Sequence, residues 1–137
     1  MQPSAILESA LYVTDLDGAE TFYRDVIGLE LITKVAGRHA FFRCEQSVLL
    51  LFVAEATKVA PQMDASLPVP PHGTVGQGHL CFAASASEID GWKALLDGKG
   101  IAIEADFEWP SGGRSIYLRD PSGNSLEFAE PRIWGLS

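Results

Sequence analysis

The 137-residue sequence has little cysteine, little positive charge and no long apolar run. Its two cysteines, Cys44 and Cys81, lie in apolar stretches that are typical of strands, where a free cysteine behaves as a small buried hydrophobe. Because the first residues also lack the charged and apolar regions of a signal peptide, the sequence favours a reduced, cytoplasmic protein. The longest apolar run, residues 48–54, is too short to cross a bilayer as a helix, so we expect no membrane segment.

The scarcity of basic residues excludes a further class of partner. Ten Lys and Arg residues face 18 Asp and Glu residues, which gives a formal net charge of −8. Binding to DNA or RNA depends on a Lys/Arg surface that displaces counterions from phosphates, so we expect no nucleic-acid partner. The sequence also contains no dinucleotide fingerprint, no phosphate loop and no serine or cysteine nucleophile beside a base.

The hydrophobic pattern follows a β-α-β-β-β order twice, which predicts an α+β fold. Module one covers residues 5–54, with a helix that begins after the N-cap Asp15. Module two covers residues 77–131, with a helix that begins after Ser85 or Ser87. The eight strands are predicted at residues 5–13, 29–36, 38–44, 48–54, 78–84, 101–107, 114–119 and 124–129.

A proline-rich stretch, residues 55–76, connects the two modules. A segment of this length without a clear pattern is usually a linker or a functional loop. Because 137 residues suit one domain and the modules resemble each other, we expect a single domain over residues 1–137. His72 lies in this linker, and the sequence assigns it no role.

Three residues with metal-binding side chains fall on strand faces that point away from the helices. Side chains alternate along a strand, and the apolar set of each strand should meet its helix. Glu8, His79 and Glu127 then lie on the opposite faces, where an unpaired carboxylate is costly. Two carboxylates and an imidazole suit Mn, Fe, Ni, Co or Zn. Each residue alone has a simpler interpretation: an exposed residue at a strand start, a hydrogen-bonded structural histidine, or a solvent-facing residue of an edge strand.

Further residues are candidates for contact with a small substrate. The turn centred on Ser122 predicts that Tyr117 pairs with Glu127 across the last hairpin. An arginine such as Arg114 can bind an anionic group through two hydrogen bonds, and the alternative is that Arg114 is simply exposed to solvent. The alternative for Tyr117 is a side chain that packs in the interior. The predicted substrate-binding residues are Tyr12, Arg43, Trp109, Arg114 and Tyr117.

Several segments resemble the vicinal oxygen chelate superfamily, which includes glyoxalase I, fosfomycin-resistance enzymes, extradiol dioxygenases and bleomycin-resistance proteins. The resemblance is carried by ALYVTDL at residues 10–16, FYRDVIGL at 22–29, GHLCF at 78–82 and YLRDPSGNSLEF at 117–128. It implies curved mixed sheets around a cavity and a homodimer whose sites draw on both subunits.

The resemblance also implies a ligand set. The family takes its metal ligands from the first and last strands of each module, and by position these are Glu8, Leu50, His79 and Glu127. Two departures stand out: Glu8 replaces the usual His or Gln, and Leu50 replaces the carboxylate of glyoxalase I. A three-ligand set of Glu8, His79 and Glu127 remains, which makes glyoxalase I itself less expected.

Two functions follow from this resemblance. The first is a metal-dependent lyase, isomerase, transferase or dioxygenase that chelates two oxygens of a small substrate. In that case Glu127 and Glu8 are the catalytic residues, as carboxylates able to carry a proton. The second is a metal-free protein that binds a drug or metabolite. The sequence does not identify the substrate.

Overall fold

The computed structural model describes residues 1–137 and contains eight strands in two sheets. The strands are β1 (Glu8–Tyr12), β2 (Glu30–Val35), β3 (His39–Cys44), β4 (Ser47–Phe52), β5 (His79–Ala83), β6 (Ala105–Glu108), β7 (Arg114–Arg119) and β8 (Ser125–Ala129). The helices are α1 (Leu16–Thr21), α2 (Ala54–Thr57) and α3 (Ala86–Gly98), with a π-helical turn at Phe22–Val26 and a 3-10 turn at Pro131–Trp134. The chain forms two compact units, Met1–Gly76 and Gln77–Ser137.

The first unit contains a four-stranded mixed sheet in the order β1-β4-β3-β2. Strand β1 runs parallel to β4, and the other pairs are antiparallel. Asp15 caps α1 as predicted, because its side chain accepts a hydrogen bond from the Gly18 amide. The helix and its π-helical extension bury Tyr23 against Phe42, and both side chains are fully buried. This core covers one face of the sheet and leaves the other face for the cavity described below.

The second unit repeats this plan in the order β5-β8-β7-β6. Helix α3 begins with a complete capping box, in which the side chains of Ser85 and Glu88 each accept a hydrogen bond from the other residue's amide. Its apolar side packs on the sheet, where Trp92 stacks on Phe128 with ring centroids 4.3 Å apart. The β7–β8 turn is joined to β5, since Asn124 Oδ1 accepts a hydrogen bond from the Gly78 amide at 2.8 Å.

The two mixed sheets with helices confirm the predicted α+β fold. All eight predicted strands are present, and the main differences lie at their ends. Strand β6 begins only at Ala105, where its ladder with β7 starts, rather than at residue 101. Two short helices were not predicted: α2, at the start of the expected linker, and the 3-10 turn after β8.

No helix of the structure is both long enough and apolar enough to cross a membrane. The expected cytoplasmic location and the single-domain organisation stay predictions.

Candidate functional site

The second unit brings His79 and Glu127 together on two neighbouring parallel strands. The register pairs His79 with Ser125 and Cys81 with Glu127, so the side chains of His79 and Glu127 lie diagonally across the β5–β8 ladder. His79 Nδ1 lies 3.0 Å from the Ser125 carbonyl oxygen, and a carbonyl only accepts, so Nδ1 carries a proton and donates it. In the neutral ring Nε2 is then an acceptor, and it lies 3.2 Å from Glu127 Oε2, another acceptor. A proton or a cation between these atoms makes the contact favourable.

The other oxygen of the same carboxylate also lacks a donor. The Glu127 side chain is only 7% exposed, and its Oε1 is buried without a hydrogen-bond partner. A buried carboxylate oxygen that has lost water and gained no donor is costly, so it marks a position where a ligand would be stabilised. The His79 side chain is 52% exposed, which leaves the pair accessible from solvent.

Two neutral side chains border the carboxylate. Tyr117 lies opposite Glu127 in the β7–β8 ladder, which confirms the pairing predicted from the turn. Burial, together with the Glu127 carboxylate, raises the pKa of Tyr117 to about 12. Burial, and after it the Glu127 carboxylate, likewise raises the pKa of Cys81 to about 12. Near neutral pH both groups therefore keep their protons.

An aromatic wall extends from this pair toward the turn before β7. The His79 and Tyr117 rings lie nearly parallel with centroids 6.1 Å apart, and Phe107 stacks on Tyr117 at 5.8 Å. Trp109 meets the edge of Phe107, and its indole nitrogen donates to Ser115 Oγ at 2.8 Å. Trp109 is among the predicted contact residues, whereas Phe107, an aromatic residue two positions before it in β6, was not predicted.

Arg114 lies in an ion-pair cluster. Its guanidinium group donates two hydrogen bonds to Asp106, at 2.8 and 3.0 Å, and a third to Asp90 at 2.6 Å. Lys93 also pairs with Asp106 at 2.6 Å, and the hydrogen bonds from Arg114 and Lys93 hold the pKa of Asp106 well below its usual range. The charge of Arg114 is thus already compensated, and its contact with substrate stays a prediction.

The first unit places Glu8 and Tyr12 on the wall of a cavity of about 1350 Å³. The Tyr12 hydroxyl lies 2.6 Å from Nδ1 of His72, a residue to which the sequence assigned no role. The cavity is otherwise largely apolar and includes Leu50 and Phe41. Arg43, the remaining predicted contact residue, is exposed on β3 and is not part of the cavity wall.

The registers of the two sheets define which positions correspond. Leu50 pairs with Ala10 in the third position of β1, just as Glu127 pairs with Cys81 in the third position of β5. Glu8 corresponds in the same way to His79, the first residue of β5. Leucine therefore stands at the position in the first unit that a carboxylate holds in the second.

The three predicted metal donors belong to different units. His79 and Glu127 belong to the second unit and Glu8 to the first. No group of three or more histidine, cysteine or carboxylate side chains in the structure is arranged to hold a metal ion. The imidazole and the partnerless carboxylate oxygen are of the donor types that divalent cations of the first transition row bind.

Two β-α-β-β-β units, each with a mixed four-stranded sheet, define a glyoxalase-like fold. The model of the Glyoxalase/Bleomycin resistance protein/Dioxygenase superfamily matches residues 5–128, and the chain belongs to this superfamily.

Relatives include enzymes and proteins of other description. The crystal structure of lactoylglutathione lyase from Agrobacterium tumefaciens is 48% identical, with a TM-score of 0.93 over 99% of this chain and all of that one. Virulence protein STM3117 from Salmonella typhimurium strain LT2 is 28% identical over 88% of this chain and 79% of its own length. A glyoxalase/bleomycin resistance protein/dioxygenase from Nocardioides, at 22% identity and a TM-score of 0.71 over 95% of this chain and 85% of that one, shows the fold alone.

Proposed function

We propose that the chain is a metal-dependent enzyme that binds two oxygens of a small substrate at His79 and Glu127 and stabilises an oxyanion. The observation that carries this proposal is the approach of His79 Nε2 to within 3.2 Å of Glu127 Oε2, beside an Oε1 of Glu127 that is buried without a hydrogen-bond partner. The similarity to a lactoylglutathione lyase supports a lyase reaction first among those expected.

The roles of the side chains follow from their positions. His79 and Glu127 hold a divalent cation (Mn, Fe, Ni, Co or Zn), and Glu8 supplies a third donor. A bound cation of this kind acts as a Lewis acid toward substrate oxygens. The buried Oε1 of Glu127, which has no hydrogen-bond partner, accepts and returns a proton. Tyr117 keeps its proton and donates to a substrate oxygen, while Phe107 and Trp109 form an apolar wall.

The proposed assembly is a homodimer with shared sites. Because Glu8 belongs to the first unit and the other two donors to the second, Glu8 of one copy completes the site of the other copy. The support for this arrangement is the superfamily, whose small members commonly pair in this way. Mixing Glu8→Ala chains with Glu127→Ala chains tests it. One intact site should form in the mixed dimer and restore part of the metal content that each variant alone lacks.

Elemental analysis tests the metal itself. Protein purified without chelator should retain a divalent metal, and His79→Ala and Glu127→Ala should each lose most of it while staying folded. Glu55→Gln is the matched control, because Glu55 is an exposed carboxylate paired with Lys58 and should leave the metal content unchanged. Failure of the parent to hold any divalent metal, even after supplementation, overturns the proposal.

Activity toward lactoylglutathione is the first reaction to assay, because of the 48% identical lyase. Leu50, at the position that corresponds to Glu127, removes the fourth ligand expected of glyoxalase I and argues for a different substrate. A metal-loaded protein without this activity would retain the proposed class and exclude that substrate.

A second function, metal-free binding of a drug or metabolite, is favoured by the apolar cavity of the first unit. The same elemental analysis separates the two functions. Tight binding of a small molecule by protein that holds no metal, before or after supplementation, supports the second.

A further inference from the structure

The tryptophan of the β6–β7 turn is held by both its backbone and its side chain. The Trp109 amide donates to the Gly113 carbonyl at 2.8 Å, and the Trp109 carbonyl accepts from the Gly112 amide at 2.9 Å. The indole nitrogen donates to Ser115 Oγ at 2.8 Å. An indole N–H only donates, and Ser115 is completely buried. This bond therefore ties the ring to a residue that the sheet holds in place.

The strand registers place Ser115 between this turn and the carboxylate of the candidate site. Ser115 pairs with Phe107 on β6 and with Ala129 on β8. Tyr117 lies two residues further along β7, shares the sheet face of Ser115 and pairs with Glu127. Burial and then the Glu127 carboxylate raise the pKa of Tyr117, and a hydrogen bond from Ser115 opposes them. A change at Ser115 is therefore felt at the Tyr117 hydroxyl.

Phe107 forms a second connection between the turn and Tyr117. The Trp109 ring meets the edge of Phe107, with centroids 4.9 Å apart and planes at 65°. The Phe107 and Tyr117 rings are almost parallel, with planes 7° apart and centroids at 5.8 Å. Because Trp109 is 36% exposed and Phe107 39% exposed, packing alone restrains this row of rings only in part. The hydrogen bond from the indole to Ser115 supplies a further restraint.

We propose that Trp109 is a positioning residue, which holds the Tyr117 hydroxyl beside Glu127 through its bond to Ser115 and its contact with Phe107. The inference rests on the proposed function and deepens it, because Tyr117 is the proposed donor to a substrate oxygen. The hydrogen bonds run in one direction, from Trp109 to Ser115 and from Ser115 to Tyr117. The proton of Tyr117 is then left for the carboxylate or the substrate, which are the stronger acceptors.

The tyrosine carbon that bears the hydroxyl group, Cζ, reports on this group in NMR spectra. The full-length protein, freed of metal and labelled with carbon-13 at Cζ, contains three tyrosines, Tyr12, Tyr23 and Tyr117, and Tyr117→Phe identifies the resonance of the last. Trp109→Phe keeps an aromatic ring and removes the indole N–H, and Ser115→Ala removes its acceptor. Each variant should shift the Tyr117 resonance and leave those of Tyr12 and Tyr23 in place.

A double variant distinguishes one connected path from two separate defects. Trp109→Phe and Ser115→Ala break the same hydrogen bond, so the double variant should shift the Tyr117 resonance no further than Ser115→Ala alone. Ser115→Thr, which keeps the hydroxyl group, should leave the resonance at its position in the parent. Trp134→Phe is the matched control, because Trp134 is 79% exposed, and it should shift none of the three resonances.

The outcomes separate this inference from the proposed function. An unmoved Tyr117 resonance in Trp109→Phe, additive shifts in the double variant, or an equal shift in Trp134→Phe overturns the inference. Metal titration of the same variants gives a second measurement. Trp109→Phe should lower metal affinity by about threefold to tenfold, less than the loss of a group bonded directly to a ligand. A parent that holds no metal overturns the proposed function, and the resonance shifts still decide the role of Trp109.

Discussion

The two units share one strand plan and differ in what they place on it. At corresponding register positions the first unit has Ala10 and Leu50, and the second has Cys81 and Glu127. The first face lines a largely apolar cavity, and the second holds an imidazole and a carboxylate 3.2 Å apart. The two units thus share a backbone plan, and a few side chains decide whether the exposed face of the sheet is apolar or carries an imidazole and a carboxylate.

The largest expected effect comes from making the second unit like the first. Glu127→Leu should lower metal affinity by about 100-fold or more, because it removes the proposed direct ligand, and even a group that supports a ligand is worth about 10- to 100-fold. The same change should raise the free energy of unfolding of the metal-free protein by about 1–3 kcal/mol, because it replaces a buried oxygen that lacks a partner. Metal titration and urea unfolding measure the two effects.

Glu127→Gln is the control for this change, because it keeps the shape and polarity of the side chain and removes its charge. It should lose metal without the gain in stability. A lower free energy of unfolding for Glu127→Leu than for the parent, both free of metal, would show that the carboxylate is hydrogen-bonded in solution. The carboxylate would then give no indication of a metal ligand.

The reverse exchange should destabilise the first unit. Leu50 is 8% exposed and pairs with Ala10 and Phe41, so Leu50→Glu places a carboxylate beside two apolar neighbours in the sheet. We expect a loss of about 2–4 kcal/mol in the free energy of unfolding at pH 7. Leu50→Met keeps the volume and polarity and should cost less than about 1.5 kcal/mol. Equal urea midpoints for the parent and Leu50→Glu would contradict the description of this face as apolar.

Much of this comparison could be predicted from the sequence, because it rests on local signals. The Asp15 cap, the Ser85–Glu88 start of α3 and the alternation of apolar residues fix elements within a few residues of themselves. The pairing of Tyr117 with Glu127 also followed, since a tight turn sets the register of the strands beside it.

The remaining features depend on contacts between distant parts of the chain. The Tyr12–His72 bond joins residues 60 positions apart, and the proline-rich segment gives no periodic sign that it folds back over β1. The pairing of Arg114 with Asp90 likewise depends on how α3 lies over the sheet. The partnerless oxygen of Glu127 is a property of its whole surroundings, which strand parity alone does not define.

The β2–β3 and β6–β7 turns offer a smaller comparison between the units. Gly37 and Gly113 both have positive φ, 71° and 96°, which disfavours any residue with a Cβ. A Cβ on Gly113 would lie 2.4 Å from Ile133 Cγ2, whereas one on Gly37 would meet nothing within 4 Å. Gly37→Ala should therefore cost about 1 kcal/mol and Gly113→Ala about 2–3 kcal/mol in the free energy of unfolding. Equal costs would mean that the 3-10 turn moves aside freely.

The smallest effect concerns the ion pairs that support β6 and β7. Hydrogen bonds from Arg114, then from Lys93, hold the pKa of Asp106 below its ordinary value in the folded protein. In acid the folded state therefore binds fewer protons than the unfolded state. The ionised Asp106 carboxylate thus stabilises the folded protein, and this stabilisation is complete above the unfolded pKa of about 3.9. It is lost as the pH falls through the folded pKa. Asp106→Asn should lower the urea midpoint at pH 7, and the difference from the parent should shrink steadily below about pH 4.

The size and salt dependence of this effect distinguish it from a packing defect. Ion pairs near the surface contribute little and are screened, so added salt should reduce the difference at pH 7 as well. Asp64→Asn, in the loop of the first unit where no ion pair is seen, is the matched control and should leave the midpoint unchanged at either pH. A deficit in Asp106→Asn that does not shrink as the pH falls below about 4 or as salt is added would assign the loss to local packing of β6, because both changes weaken the contribution of charge pairing.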